Sequence, residues 1–266
     1  MRSGQSVFKL WLLLFGVIFL LCGFIANGAG HQEVREGPVS SRKVFLFIAK
    51  KLGIPILRGS IEITQGSLEN GKPIYRIQAS IDSIRSPGFL FRMNNRFTST
   101  IEGETCFPIR YVKEINQGGF LIRDKNYVQT LAFDFAHKRV IVERPERKER
   151  EEIPVPSDTY DPLSMFARCY LKEEIHPGKD IQMSIYDGLK LRQMIFHVKK
   201  ERVQSELFGE VEAVRLESAT SFSAFGDKEG IIRIWYTTDG KKTPLVMELD
   251  LPIGSLKFEL EEVREN

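Results

Sequence analysis

From Lys43 onward the dominant spacing of apolar residues along the chain is two. Tyr75, Ile77, Ala79 and Ile81 alternate with Arg76, Gln78, Ser80 and Asp82. Ile181, Met183 and Ile185 repeat the pattern, as do Met194, Phe196 and Val198. Leu245, Met247, Leu249 and Leu251 form another set, and Leu256, Phe258 and Leu260 one more. Successive side chains of a strand point to opposite faces, so each run predicts a strand with one face in a core. Asn70-Gly71, Gly118-Gly119 and Asp239-Gly240 fall between such runs. These dipeptides tolerate the positive φ of tight hairpin turns, which join antiparallel neighbours. Gly226 and Gly230 bracket a longer loop. About eleven to thirteen strands follow from these criteria.

One segment has a different period. Leu163, Phe166 and Tyr170 recur at helical spacing, with Met165 and Cys169 beside them. Asp161 suits an N-cap and Pro162 a first helical residue. The stretch Pro162–Leu171 is expected to be a short helix, apolar nearly all round and largely buried. The fold class expected is therefore mainly β: a single antiparallel, strongly curved sheet or partly open barrel with one short helix at about 162–171. Glu143 to Glu152 holds four basic and five acidic residues mixed one by one, which reads as a solvated loop.

The N-terminus departs from the rhythm. After Arg2 and Lys9, Leu10 to Ile25 carries no charge. As a helix this run reaches roughly 24 Å, short of a bilayer core of about 30 Å. Small residues follow, at Ala26-Asn27-Gly28 and Gly28-Ala29-Gly30. That order matches a secretory signal peptide over residues 1–28, cleaved near Gly28 or Gly30. An uncleaved inner-membrane anchor is the alternative. Residues 29–42 are polar and read as a flexible leader, and 43–266 as one β-rich domain. The expected location is the periplasm, with no stable transmembrane span after cleavage.

Charge narrows the partners. Lys plus Arg number 38 and Asp plus Glu 35; without Arg2 and Lys9 the balance is 36 against 35. Such a body has no net field for a polyanion, so nucleic acid is not an expected partner. Cys106 and Cys169 form an even pair for an oxidising compartment. A bridge would stabilise by about 4 kcal/mol in the chain-entropy model, and two buried free thiols are the other reading.

Chemical motifs are weak. Gly66 to Lys72 imitates a phosphate loop, but Pro73 stands where a magnesium-binding hydroxyl is required and a strand follows. His31, His137, His176 and His197 have no metal-ligand spacing, and no Gly-x-Ser-x-Gly elbow occurs. No catalytic residue, metal or cofactor is expected. The 19 phenylalanines are the unusual feature. Phe45, Phe47, Phe89, Phe91, Phe97, Phe133 and Phe135 fit a tightly packed β core. They also fit a hydrophobic cavity inside a curved sheet.

Six strings in register carry a family resemblance. They are Leu52-Gly53-Ile54-Pro55, Asn95-Arg96-Phe97-Thr98-Ser99, Pro154-Val155-Pro156 with Asp161-Pro162-Leu163-Ser164, Tyr186-Asp187-Gly188, Ile232-Arg233-Ile234-Trp235 and Leu251-Pro252-Ile253-Gly254-Ser255. From about Lys43 to Val263 the chain resembles the exported bacterial family catalogued as domain of unknown function 3108. The resemblance implies a secreted protein with a β-rich single domain, and no activity. The cysteines lie outside the pattern. Arg96 and Trp235 are the string residues suited to recognition, as an Arg and a Trp on one concave face can hold the head and tail of an amphiphile.

The expected function is thus a non-enzymatic binder of a hydrophobic, lipid-like envelope molecule, through Phe89, Phe91, Arg96, Phe97 and Trp235. An interaction or assembly module with an envelope protein partner is the alternative. An unrecognised hydrolase is a third reading.

Overall fold

The computed structural model describes residues 41–67, 71–84, 91–120, 124–222, 228–251 and 254–265. The expected signal peptide, Asn70 and Phe89 lie outside these residues. The strands of the first arm are β1 (Ser41–Lys51), β2 (Ile54–Ser67), β3 (Pro73–Ser83), β4 (Arg92–Glu102), β5 (Pro108–Gly118), β6 (Lys125–Asp134), β7 (Arg139–Arg144) and β8 (Glu149–Pro154). A two-residue strand β9 (Thr159–Tyr160) and the helix α1 (Pro162–Leu171) follow. The second arm holds β10 (Ile181–Tyr186), β11 (Leu191–Ser205), β12 (Gly209–Phe222), β13 (Lys228–Thr237), β14 (Pro244–Leu251) and β15 (Gly254–Glu265).

All fifteen strands belong to one open sheet, in the order β8-β7-β6-β5-β4-β3-β2-β1-β15-β14-β13-β12-β11-β10-β9. Neighbours are antiparallel except β9 and β10, which run parallel. The two ends of the described chain therefore meet at the sheet's centre, where β1 pairs with β15. Its middle supplies both edges, β8 and β9, joined only by residues 155–158. The sheet is not closed by hydrogen bonds, but its two arms come together across the core. Lys113 Nζ on β5 donates to the Asp187 carbonyl at 2.6 Å, and Gln129 Nε2 on β6 to the Gly188 carbonyl at 3.0 Å. Asp187 and Gly188 lie in the β10–β11 turn, far along the strand order.

The period-two pattern fills the inner face as expected. Ile181, Met183, Ile185, Met194, Phe196, Val198, Leu256, Phe258 and Leu260 are all buried in one core with Phe45, Phe47 and Ile77. The helix packs against this face. Phe45 meets Tyr170 edge-on at 5.4 Å, and Phe166 meets Tyr236 at 6.2 Å between ring centroids. Phe107 stacks on Tyr160 at 5.1 Å. The aromatic content thus serves packing between α1 and the sheet.

Both helix ends are fastened. Asp161 Oδ1 accepts from the Leu163 and Ser164 amides at 2.8 and 3.0 Å, and Ser164 Oγ accepts from the Asp161 amide at 2.8 Å. This capping box satisfies donors that the helix leaves open. At the other end Lys242 Nζ donates to the Glu173 carbonyl at 2.9 Å and the Cys169 carbonyl at 3.4 Å. A cation suits the negative end of a helix.

Three sequence expectations need correction. Glu143 to Glu152 is not a loop but the β7–β8 hairpin around a 3-10 turn at Pro145–Arg147. Its mixed signs pair across the hairpin: Arg144 with Glu149 at 3.3 Å and Glu151 at 3.1 Å, and Arg139 with Glu152 at 2.7 Å. Ser41 and Arg42, assigned from sequence to the leader, belong instead to β1 and pair with Gln65 and Thr64. The described residues hold fifteen strands, more than the expected eleven to thirteen. The charged β8 and the two-residue β9 lack apolar alternation.

Candidate functional site

Strand parity decides which residues share a face. Ile234 and Tyr236 belong to the main core, so Trp235 between them faces the other way. There it joins Ala213, Leu245 and Val246 in a second, smaller cluster, with Val203 and Val211 beside it. The β11–β12 hairpin outruns β13, whose pairing with β12 begins only at Ala213. Its free end is held against this outer face. Glu201 accepts from the Trp235 indole, and Glu206 pairs with Lys50 of β1.

Arg96 is likewise outward, between the buried Asn95 and Phe97. Its guanidinium pairs with Asp82 at 2.9 Å, and its side chain is 41% exposed. Phe91 and Phe97 are in the main core. The expected recognition set is therefore not one site. Phe91 and Phe97 share the inner face, Arg96 and Trp235 lie on the outer face on β4 and β13, and Phe89 is outside the described residues. The Ile232–Trp235 string has a different role. Arg233 bridges Glu217 at 2.6 Å and Glu248 at 2.8 Å, a rung across three strands.

The polar residues of the inner face form a clasp. Asn95 Nδ2 donates to Gln117 Oε1 at 3.1 Å, and Ser99 Oγ to Asp161 Oδ2 at 2.6 Å. Lys113 and Gln129 hold the β10–β11 turn. Gly188 there has φ +88°, and a Cβ on it would sit 2.7 Å from Gln129 Oε1. Asp187 shapes the turn by accepting from the Leu189 and Lys190 amides and from Arg192. This accounts for the Tyr186-Asp187-Gly188 string. Burial pushes the Lys113 ammonium down to about 8; Asp187 opposes the shift, while Arg144 and Lys125 add to it. The amine is enclosed and bonded to a carbonyl, so it fastens the arms rather than meeting a substrate.

Cys106 and Cys169 are free thiols, both buried in the main core. The bridge weighed from sequence does not form here. Burial pushes the two thiols up to about 11 and about 12. Since the thiolate is the reactive form, neither is a nucleophile near neutrality. Maleimide applied to the native protein near pH 8 is expected to leave both unmodified, whereas denatured protein reacts at both, as read by peptide mass spectrometry. Native labelling of either would contradict the burial. Among the described residues no group of three or more His, Cys, Asp or Glu gathers to hold a metal.

A groove of about 580 Å³ lies where the β11–β12 hairpin meets the β13–β14 turn and the end of β15. Phe208, Val211 and Val263 supply its apolar lining, Thr237 and Thr243 hydroxyl-bearing walls, and Lys241, Glu212, Asp239 and Glu265 charge. Lys200 holds the Glu212 carboxyl below its ordinary range, and Lys43 does the same for Glu265, so both stay ionised. The arrangement sets apolar side chains beside charged ones. Sequence reasoning did not single out these residues. The signal was Leu207-Phe208, two large apolar residues at a hairpin turn.

These features define a β-barrel-like domain. The fold is similar to a crystal structure from Brucella abortus, described as a beta-barrel-like protein of domain of unknown function DUF1849. The two share 12% identity over 86% of this chain and 98% of that one, with a TM-score of 0.55, a likeness of fold alone. A family model described as protein of unknown function, DUF3108, matches residues 44–261, and the chain belongs to that family. No curated protein matches the sequence.

Proposed function

We propose that this protein is an exported, periplasmic, non-enzymatic binder of an apolar, lipid-like envelope molecule. The observation that carries the reading is the groove, whose volume falls within the range of small-molecule sites. Phe208, Val211 and Val263 would take an apolar chain, while Lys241 and the threonines would face a polar head. Export rests on the charged start, the apolar Leu10–Ile25 run and the small residues after it.

Native mass spectrometry after mild extraction tests the binding. The expected result is a non-protein adduct that disappears when Phe208→Ser and Val211→Asp are combined, with circular dichroism unchanged. A protein that repeatedly arrives empty would remove the reading. Fractionation with N-terminal sequencing tests the export, with mature chains expected to begin after Gly28 or Gly30.

A further inference from the structure

The geometry points to a second kind of lipid contact: the end of the sheet carrying the β1–β2 and β5–β6 turns docks on the surface of an anionic bilayer. Three large apolar side chains are far more exposed than any others described. They are Leu52 at 79%, Phe120 at 77% and Ile54 at 66%. Leu52 and Ile54 flank the β1–β2 turn, and Phe120 stands in the β5–β6 turn. In an antiparallel meander alternate turns share an end, so both turns lie at the same end of the sheet.

Register relates the two tips to one line of paired residues. Ala49 pairs with Leu57, Leu57 with Ser83, and Met93 with Gln117, while the Met93 amide donates to Ser83 Oγ. Leu52 is three residues beyond Ala49, and Phe120 three beyond Gln117. Each therefore lies three residues past the same line across the strands. Four strand spacings separate the turns, about 19 Å along the sheet.

A cation stands at the foot of each tip. Lys51 pairs in register with Ile54, and the exposed Arg92 pairs with Gly118, two residues before Phe120. The nearby Asp124 carboxylate is engaged by the Gly119 amide at 3.2 Å. Leu52 also has φ +51°, a left-handed conformation in which Gly or Asn is the ordinary choice. An exposed leucine there opposes both solvation and backbone preference. Among the described residues the two tips stand apart, about 19 Å along the sheet, a spacing that a broad surface meets more readily than one pocket. A bilayer surface can receive both, with the cations at headgroup level.

This inference stands apart from ligand binding in the groove and is tested separately. Tryptophan replaces Leu52, Phe120 or, as a control in the β6–β7 turn at the opposite end, His137, in the full chain. Each emission spectrum is read against the parent protein, which contains Trp11 and Trp235. Vesicles contain phosphatidylethanolamine with phosphatidylglycerol, or phosphatidylcholine alone, with brominated acyl chains as quenchers. The L52W and F120W signals are expected to shift to shorter wavelength and be quenched, while H137W is unaffected. Replacing the anionic lipid should weaken the apparent affinity at both tips by roughly tenfold or more, since each cation near an anionic surface contributes appreciably. Tips that stay in water while the apolar N-terminus alone inserts would overturn the proposal. So would equal quenching at H137W, or indifference to lipid charge.

Discussion

Asp161→Ala is expected to destabilise the fold by about 3 kcal/mol. The carboxylate is fully buried and serves two elements at once. One oxygen caps α1 through the Leu163 and Ser164 amides, and the other accepts the Ser99 hydroxyl of β4. Alanine strands three buried donors, each costing roughly 1–3 kcal/mol. Relief of charge burial offsets part of that loss, because burial holds the Asp161 carboxyl above its ordinary range against the opposing hydrogen bonds. Asp161→Asn keeps an oxygen for the helix amides and is expected to cost about 1 kcal/mol or less. A raised folded pKa means the native state holds the proton more tightly than the unfolded chain. The wild type should therefore gain on D161N as pH falls through the folded value toward the unfolded one. Urea melts of both variants read these differences. Equal losses for alanine and asparagine would show that the cap geometry is not what matters.

The same residue shows what was legible in the sequence. Asp161-Pro162 followed by Leu163, Phe166 and Tyr170 is a local signal, and the helix runs over Pro162–Leu171 as that signal implied. Strands with clean alternation were equally plain. The outward position of Arg96 also follows from the chain: if Phe97 points inward, period two sends Arg96 outward. Trp235 was harder, because Ile234, Trp235 and Tyr236 are apolar without a break. Only the returning β11–β12 hairpin, held by the Lys50–Glu206 pair, makes an apolar outer face sensible. That contact joins residues 156 apart, and no local pattern encodes it. The β5 strand was ambiguous in a third way. Tyr111, Lys113, Ile115 and Gln117 compete for the inside with Arg110, Val112, Glu114 and Asn116, and a charged lysine on the buried face is the unfavoured choice. It is there because its partner is a distant turn.

That lysine should make stability depend on alkaline pH. Burial lowers the Lys113 ammonium from 10.5 to about 8. Between these values the unfolded chain holds a proton that the native protein has released, so stability rises with pH across this window. At about 1.4 kcal/mol per unit, the rise amounts to about 3 kcal/mol. Below pH 8 both states are charged and the cost of burying the ammonium is fully present. Other lysines titrate nearby, so the informative quantity is the difference from Lys113→Met. Methionine removes the buried charge but leaves the Asp187 carbonyl without its Lys113 donor, a loss of about 1–3 kcal/mol. The two effects nearly cancel at pH 7, where the variant should be about as stable as the wild type. Near pH 10 the neutral amine can keep its hydrogen bond without the charge cost, and the variant should fall behind by about 2–3 kcal/mol. Guanidinium melts across this range measure the divergence. A gap that stays constant with pH would mean that Lys113 is not enclosed, and the clasp between the two arms of the sheet would lose its central contact.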